Sequence, residues 1–244
     1  MKLLAFDTST EALSVAVWRD DGAAASPWQY SGAGGAQASA DLIAQVLALL
    51  QQAGLGLAEL DAICFGCGPG SFTGLRTACA VAQGLAFGAG VPVLPVGSLL
   101  AVAEAARLQQ AQPEAARQVT ALLDARMDEL YLARYAYADG VWTELQAAVL
   151  VRPEDARTPA DAGPSDLVAG NVFATYGARL DGLAPGLARV AALPQATAML
   201  RLAPALLAQG RAVAPAQALP LYVRDKVAQT TAERAAARNP VAPA

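Results

Sequence analysis

Three glycines, a proline and two hydroxyl side chains crowd the segment Gly68-Pro69-Gly70-Ser71-Phe72-Thr73-Gly74-Leu75-Arg76, between an apolar run and a helical pattern. A turn of that composition presents backbone N–H groups at a helix N-terminus, which suits a phosphate or another anion. The spacing is not that of a Walker loop: five residues separate Gly68 from Gly74, and Leu75-Arg76 stands where Lys-Ser/Thr is required. Nor is it a dinucleotide fingerprint, because Gly74 falls one residue late after Gly68-x-Gly70. The competing reading is a tight strand-to-helix turn with Ser71 as N-cap. Arg76, in the first helical turn, opposes the helix dipole unless an anionic ligand or a carboxylate lies beside it.

Asp7-Thr8-Ser9-Thr10, after the first apolar run, offers a carboxylate and three hydroxyls to a metal or phosphate, although an Asx-turn accounts for the same residues. Asp124-Ala125-Arg126-Met127-Asp128-Glu129 marks a corresponding hairpin in the second half and suggests internal duplication with a cleft between halves. Cys64-Phe65-Gly66-Cys67 has the spacing of a redox or metal pair. It lies within a strand, however, where residues three apart point to opposite faces, so core cysteines are expected. The chain contains no histidine. That removes Ser-His and Cys-His nucleophile pairs and the commonest ligand of zinc or iron. No metal site is expected.

The 244 residues are 55% hydrophobic and 16% charged, enough apolar side chains for a sizeable core and too many for disorder of the body. A net charge of −4 excludes a stand-alone nucleic-acid binder, which needs a cationic face. Sixty Ala, fifteen Arg and only two Lys point to codon bias. Three cysteines in a chain of this length indicate reduced cytosolic thiols, and no signal peptide is apparent. Residues 77–103 carry no charge, but Gly84, Gly88, Gly90, Pro92 and Pro95 divide them into helix, turn, strand and helix rather than a membrane span.

Periodicity predicts strands at 3–6 and 13–18, a third at 24–30, a glycine-rich loop at 31–35 and a helix over 38–53 ended by Gly54. A strand at 61–67 leads into the glycine-rich motif and its helix, then a strand at 91–96 and a helix to 108 capped by Ser98. The pattern restarts with strands at 119–124, 129–137 and 142–151, a helix entered at Pro153, a strand at 167–169, and helices at 171–180 and 197–209. Two α/β lobes follow, 1–110 and 111–226, with the last helix packing back on the first lobe and 227–244 a loose tail. The helix after the glycine-rich motif has two small-residue faces, Gly74, Ala78, Ala82 and Ala86 on one side and Ala80, Gly84 and Gly88 on the other. One packs on its own sheet. The other admits a partner helix, so Gly74, Ala78, Ala82, Gly84 and Gly88 are the candidate subunit interface.

The Asp7 hairpin, residues 68–76, Asp124-Ala125-Arg126-Met127 with Glu129 and Tyr131, and Pro220-Leu221-Tyr222-Val223-Arg224 together closely resemble the TsaB (YeaZ) family over residues 1–226. The resemblance implies an actin/hexokinase/Hsp70-like (ASKHA) duplicated ribonuclease-H-like α/β fold. It also implies a cytoplasmic role in making N6-threonylcarbamoyladenosine next to the tRNA anticodon. In that family the subunit is a non-catalytic paralogue of the transferase TsaD, with which it heterodimerises. TsaE joins the pair, tRNA is met only through the complex, and the subunit homodimerises when alone. The His-x-x-x-His metal pair of the catalytic paralogue has no counterpart here, where the aligned region reads Gly35-Ala36-Gln37-Ala38-Ser39-Ala40-Asp41. Asp7, Thr8, Ser9, Gly68, Gly70, Ser71, Thr73 and Arg76 are carried over as degenerate nucleotide-loop positions, with no cofactor and weak or absent nucleotide binding. The rival reading is an independent ASKHA-type ATPase or small-molecule kinase using Asp124, and proteolysis is disfavoured by the missing histidine and nucleophile.

Overall fold

The computed structural model describes residues 1–20, 27–160, 162–183 and 186–224. The proposed tail at 227–244 and residues 24–26 of the third predicted strand lie outside them. The first lobe contains β1 (Lys2–Asp7), β2 (Ala12–Arg19), β3 (Trp28–Ala33), α1 (Ala36–Ala53), β4 (Ala62–Gly68), α2 (Phe72–Ala89), β5 (Val93–Gly97) and α3 (Ser98–Leu108). The second contains β6 (Arg117–Arg126), β7 (Glu129–Ala138), β8 (Val141–Val151), β9 (Leu167–Gly170), α4 (Phe173–Tyr176), β10 (Ala188–Ala191) and α5 (Ala196–Ala208).

The two sheets share one topology. Their orders are β3-β2-β1-β4-β5 and β10-β9-β6-β7-β8. In each, the first three strands form an antiparallel meander and the first pairs in parallel with the fourth, which pairs in parallel with the fifth. The likeness extends to single atoms: Asp7 ends the first strand of its sheet and Asp124 lies near the end of the first strand of the other, and each Oδ1 accepts the amide two residues on, from Ser9 and Arg126, at 2.8 Å. This is the duplicated two-lobe arrangement that the resemblance implies.

Sheet faces decide how the lobes join. The outer face of the first sheet, with Phe6, Val15, Ile63 and Phe65, is covered by α1 and α2 through Leu42, Val46, Ala78 and Ala82. Its inner face, with Leu3, Ala5, Cys64 and Leu94, is covered by Ala101 of α3 and by Met199, Leu202 and Ala203 of α5. The inner face of the second sheet packs on Leu99, Val102 and Ala106 of α3 and on Ala198 of α5. Helices α3 and α5 therefore form a middle layer shared by both sheets, and the α5 N-terminus is tied to the first lobe where Ala196 N–H donates to Ser14 Oγ at 2.9 Å. Cys64 and Cys67 fall on opposite sides of the first sheet, with burial pushing both thiols up to about 12.

Several predicted elements change. The helix expected at Pro153 is one 3-10 turn, Pro153–Asp155, and the helix expected over 171–180 is the four-residue α4 followed by a 3-10 turn at Gly177–Leu180, broken where Gly177 takes a φ of 47°. The third strand runs later than expected and takes in Ser31–Ala33 of the supposed glycine-rich loop; β10 carries no alternation that would reveal it. Ser98 does not cap α3 from outside: it is the first helical residue after Gly97, and its Oγ donates to Asp7. Among the described residues no helix is long and apolar enough to cross a membrane.

One ionic cluster pins α3 to the second sheet. Glu104 and Arg107, 2% and 5% exposed, form a two-bond pair at 2.7 and 2.8 Å. Trp142 Nε1 donates to the same carboxylate, and the guanidinium lies 4.2 Å from the Tyr137 ring centre. Removing one partner strands the other's charge in the interior. Glu104→Ala is expected to destabilise the protein by about 3–5 kcal/mol in urea unfolding, and Trp142→Phe, which removes one donor, by about 1 kcal/mol.

Candidate interlobe site

A cleft of about 500 Å³ opens between the lobes, lined by the β1–β2 turn (Ser9, Thr10, Glu11), the glycine-rich turn (Gly70, Ser71, Phe72), the β6–β7 turn (Asp124, Arg126, Met127) and the closing segment Leu221 to Arg224. The duplicated topology produces this, because equivalent strand ends face each other across it. Of the carried-over positions, Ser9, Gly70 and Ser71 line the cleft. Asp7 and Thr8 lie buried just behind it, Gly68 closes β4, and Thr73 and Arg76 are exposed on α2.

The glycines serve loop packing. A Cβ on Gly74 would stand 1.8 Å from the Thr8 carbonyl oxygen, and one on Gly70 would stand 2.5 Å from that of Ser9. The turns are then stitched together: Ser71 N–H donates to Ser9 O at 2.7 Å, and Thr8 Oγ1 donates to Gly74 O at 2.7 Å. Ser71 also caps α2, accepting from Gly74 N–H at 3.4 Å. The main chain of the first hairpin thus fills the space that glycine leaves free, and the strand-to-helix reading of this motif describes its role in the fold.

Arg76 meets aromatic rings. Its guanidinium lies 3.7 Å from the Phe72 ring centre and its Nε donates to Tyr222 Oη at 3.2 Å, while Phe72 and Tyr222 pack with centres 5.2 Å apart. The dipole argument looked for an anion and overlooked a cation–π partner four residues back on the same helix. The interface residues also divide. Gly74 is buried against the β1–β2 turn and Ala78 and Ala82 against the chain's own sheet, so they leave no surface for a partner. Gly84 and Gly88 are exposed, with nothing within 4 Å of a Cβ built on either.

Two carboxylates occupy the bases of the facing hairpins. Asp7 is 1% exposed; burial pushes its carboxyl up to about 6 against the pull of the Ser9 hydroxyl and amide and the Ser98 hydroxyl. Asp124 is held by Tyr176 Oη at 2.9 Å and by the Arg126 guanidinium at 3.1 Å, while Asn171 Oδ1 accepts its amide. Both are consumed in holding turns. The β6–β7 turn carries Arg126, Met127 and Asp128 in succession at φ 59°, 53° and 66°, a left-handed run that costs on the order of 1 kcal/mol or more per residue. Sequence reasoning missed its clamps: Arg224 bonds Glu129, the Arg126 carbonyl and Met127 Sδ, and Arg179 bonds Asp128. Among the described residues no group of three or more His, Cys, Asp or Glu side chains is placed to hold a metal ion.

Residues 36–232 match the family described as TsaD, tRNA N6-adenosine threonylcarbamoyltransferase. The chain is 34% identical over 233 residues to the tRNA threonylcarbamoyladenosine biosynthesis protein TsaB of Escherichia coli, covering 93% of this chain and 96% of the relative. It is 35% identical over 237 residues to the protein of the same name from Haemophilus influenzae, covering 93% and 95%. The solved structure of YeaZ from Pseudomonas aeruginosa superposes with a TM-score of 0.79 at 36% identity, over 91% of this chain and 99% of that one.

The Asp7 environment predicts a pH dependence. Its carboxyl rises from an ordinary 3.8 to about 6 on folding, so between those values the folded protein keeps a proton that the unfolded chain has lost. That stabilisation is complete below about pH 3.8 and fades as pH rises through 6, amounting to about 3 kcal/mol at most. Asp7→Asn keeps the acceptor for Ser9 and should flatten this component between pH 4 and 7, raising stability at pH 7 relative to the parent; an unchanged difference between pH 5 and pH 7 in denaturant titrations would refute it. Gly74→Ala, which collides with the Thr8 carbonyl, should cost several kcal/mol in the same assay.

Proposed function

The chain belongs to the TsaB family, and from that membership we propose that it serves tRNA N6-threonylcarbamoyladenosine synthesis in the cytoplasm as a non-catalytic subunit that binds and orders TsaD. TsaD transfers the threonylcarbamoyl group in this scheme, TsaE joins the pair, and tRNA reaches the chain only through the complex. When alone, the chain pairs with a second copy through the face that TsaD would take.

The observation that carries the reading is the uncovered face of α1 and α2. Phe87 is 83% exposed, Ile43 47% and Leu47 51%. Small exposed residues stand among them on the same helices: Ala40, Ala44 and Ala48 on α1, and Ala80, Gly84 and Gly88 on α2. The helices lie side by side, with Ser39 Oγ and Thr77 Oγ1 3.2 Å apart. Large apolar side chains standing among alanines and glycines give knobs and hollows on one surface, the relief that packs against another helix pair. Support for the non-catalytic part comes from the absence of histidine, from the hairpin main chain packed against Gly70 and Gly74, and from the engagement of Asp124 by Tyr176 and Arg126. The last contact also weighs against the kinase alternative, in which Asp124 must be free to accept a proton from substrate. In this reading the chain needs no cofactor of its own.

Phe87→Glu and Gly84→Arg should leave the unfolding midpoint of the dilute, monomeric protein unchanged while weakening both self-association and TsaD binding by about 2 kcal/mol or more, some thirtyfold in Kd. Modification of tRNA by the reconstituted proteins should fall with TsaD binding. Ala78→Glu, on the buried side of the same helix, should instead prevent folding. Undiminished TsaD capture and tRNA modification by folded Phe87→Glu and Gly84→Arg would overturn the reading.

A further inference from the structure

The segment after the last 3-10 turn crosses the cleft and touches both lobes. At its root, Ala218 O accepts Gln83 Nε2 at 2.9 Å and Cys79 Sγ at 3.3 Å, both on α2. Leu221 N–H donates to Cys67 O at 2.7 Å, the end of β4. Tyr222 joins the Arg76–Phe72 stack, still on the first lobe. Val223 packs against the inner core of the second lobe. Arg224 then ends the crossing on the β6–β7 turn: Nη2 reaches Glu129 Oε2 at 2.5 Å and Arg126 O at 3.3 Å, and Nη1 lies 2.8 Å from Met127 Sδ.

We propose that residues 218–224 form an interlobe strap that fixes the aperture of the cleft, with Arg224 as its latch on the left-handed turn 126–128. Three independent features converge on this assignment. The lobes are joined at the back by the α3–α5 layer, which leaves the cleft side as the free edge of a hinge. The strap is bonded to the first lobe by main-chain and ring contacts, whereas its hold on the second lobe is concentrated on one guanidinium and one apolar side chain. The turn gripped by that guanidinium has three successive non-glycine residues at positive φ, a conformation that persists only when its surroundings impose it. Releasing Arg224 frees the turn to relax and the strap to lift. Arg179, which holds Asp128 from within the second lobe, keeps the outer flank of the turn in place when Arg224 lets go. The strap is therefore a two-position element: latched, it closes the front of the cleft with Leu221 and Tyr222; released, Val223 and Arg224 leave the second lobe, the strap loosens along its remaining bonds to the first lobe, and the cleft is free to widen.

The test is hydrogen exchange together with a distance across the cleft, both on the full chain. In Arg224→Ala the amides of Leu221 and Arg126 should exchange about tenfold faster or more, while those of Asp61 and Val93, bonded to Lys2 O and Val213 O away from the cleft, keep the parent rates. Spin labels at Gln37→Cys and Thr143→Cys, one on each lobe, should report a distribution that is broader and shifted in Arg224→Ala relative to the same pair with Arg224 intact. Glu129→Gln, which keeps an acceptor but removes the charge, should move both readouts the same way by a smaller amount and decides the matter if Arg224→Ala does not fold. Parent exchange rates at Leu221 and Arg126 would overturn the proposal. So would an unchanged distance distribution, or acceleration shared equally by Asp61 and Val93, which would mark loss of global stability rather than release of a strap.

Discussion

Everything in this molecule rests on two helices having to satisfy two sheets at once. The inner faces of both five-stranded sheets are apolar, and among the described residues α3 and α5 are the helices that lie between them. Small side chains make the double contact feasible: Ala101, Ala103, Ala105 and Ala106 on α3, and Ala196, Ala198 and Ala203 on α5, let the sheets approach from opposite sides. Inside that layer the Glu104–Arg107 pair contributes specificity more than stability, since its bonds to Trp142 and its stacking on Tyr137 are satisfied in one register only. The cleft is the other end of the same constraint. Where the shared layer stops, the equivalent hairpins of the two sheets stand apart and face each other.

At that cleft the turns hold one another through their own side chains and main chain. Gly70 and Gly74 admit the main chain of the first hairpin, Ser71 caps a helix, Asp7 and Asp124 close turns, and Arg76 rests on aromatic rings. A motif dense in glycine and hydroxyl groups therefore reports close approach of backbone, and what approaches has to be read from the fold.

The sequence made the first lobe legible because its strands are bounded by turn residues and its helices are long enough to repeat their apolar spacing; Leu42, Val46, Leu49 and Leu50 are all buried on one face of α1. The second lobe was harder, since Gly177 cuts α4 to a single turn and the four residues of β10 are mostly exposed. In α2 the difficulty was compositional. With alanine or glycine on both sides of the helix, burial could not be assigned from residue type, and Gly74, Ala78 and Ala82 were grouped with Gly84 and Gly88 although they face the opposite way. The exposed Phe87 was the discriminating residue. Arg224 and Glu129 lie 95 positions apart, and their pairing carries no local signature.

The position of α5 in the chain has a consequence for how the protein is made. The inner face of β1 is covered by Met199, Leu202 and Ala203, more than 190 residues further along the chain. Until those residues are made, Leu3, Ala5 and Leu94 present an incompletely covered apolar sheet face, so the first lobe completes its core only after the second lobe has been made. Assembly of the first lobe therefore waits for α5, and the time during which a chaperone can bind that sheet is set by the rate of elongation across the second lobe.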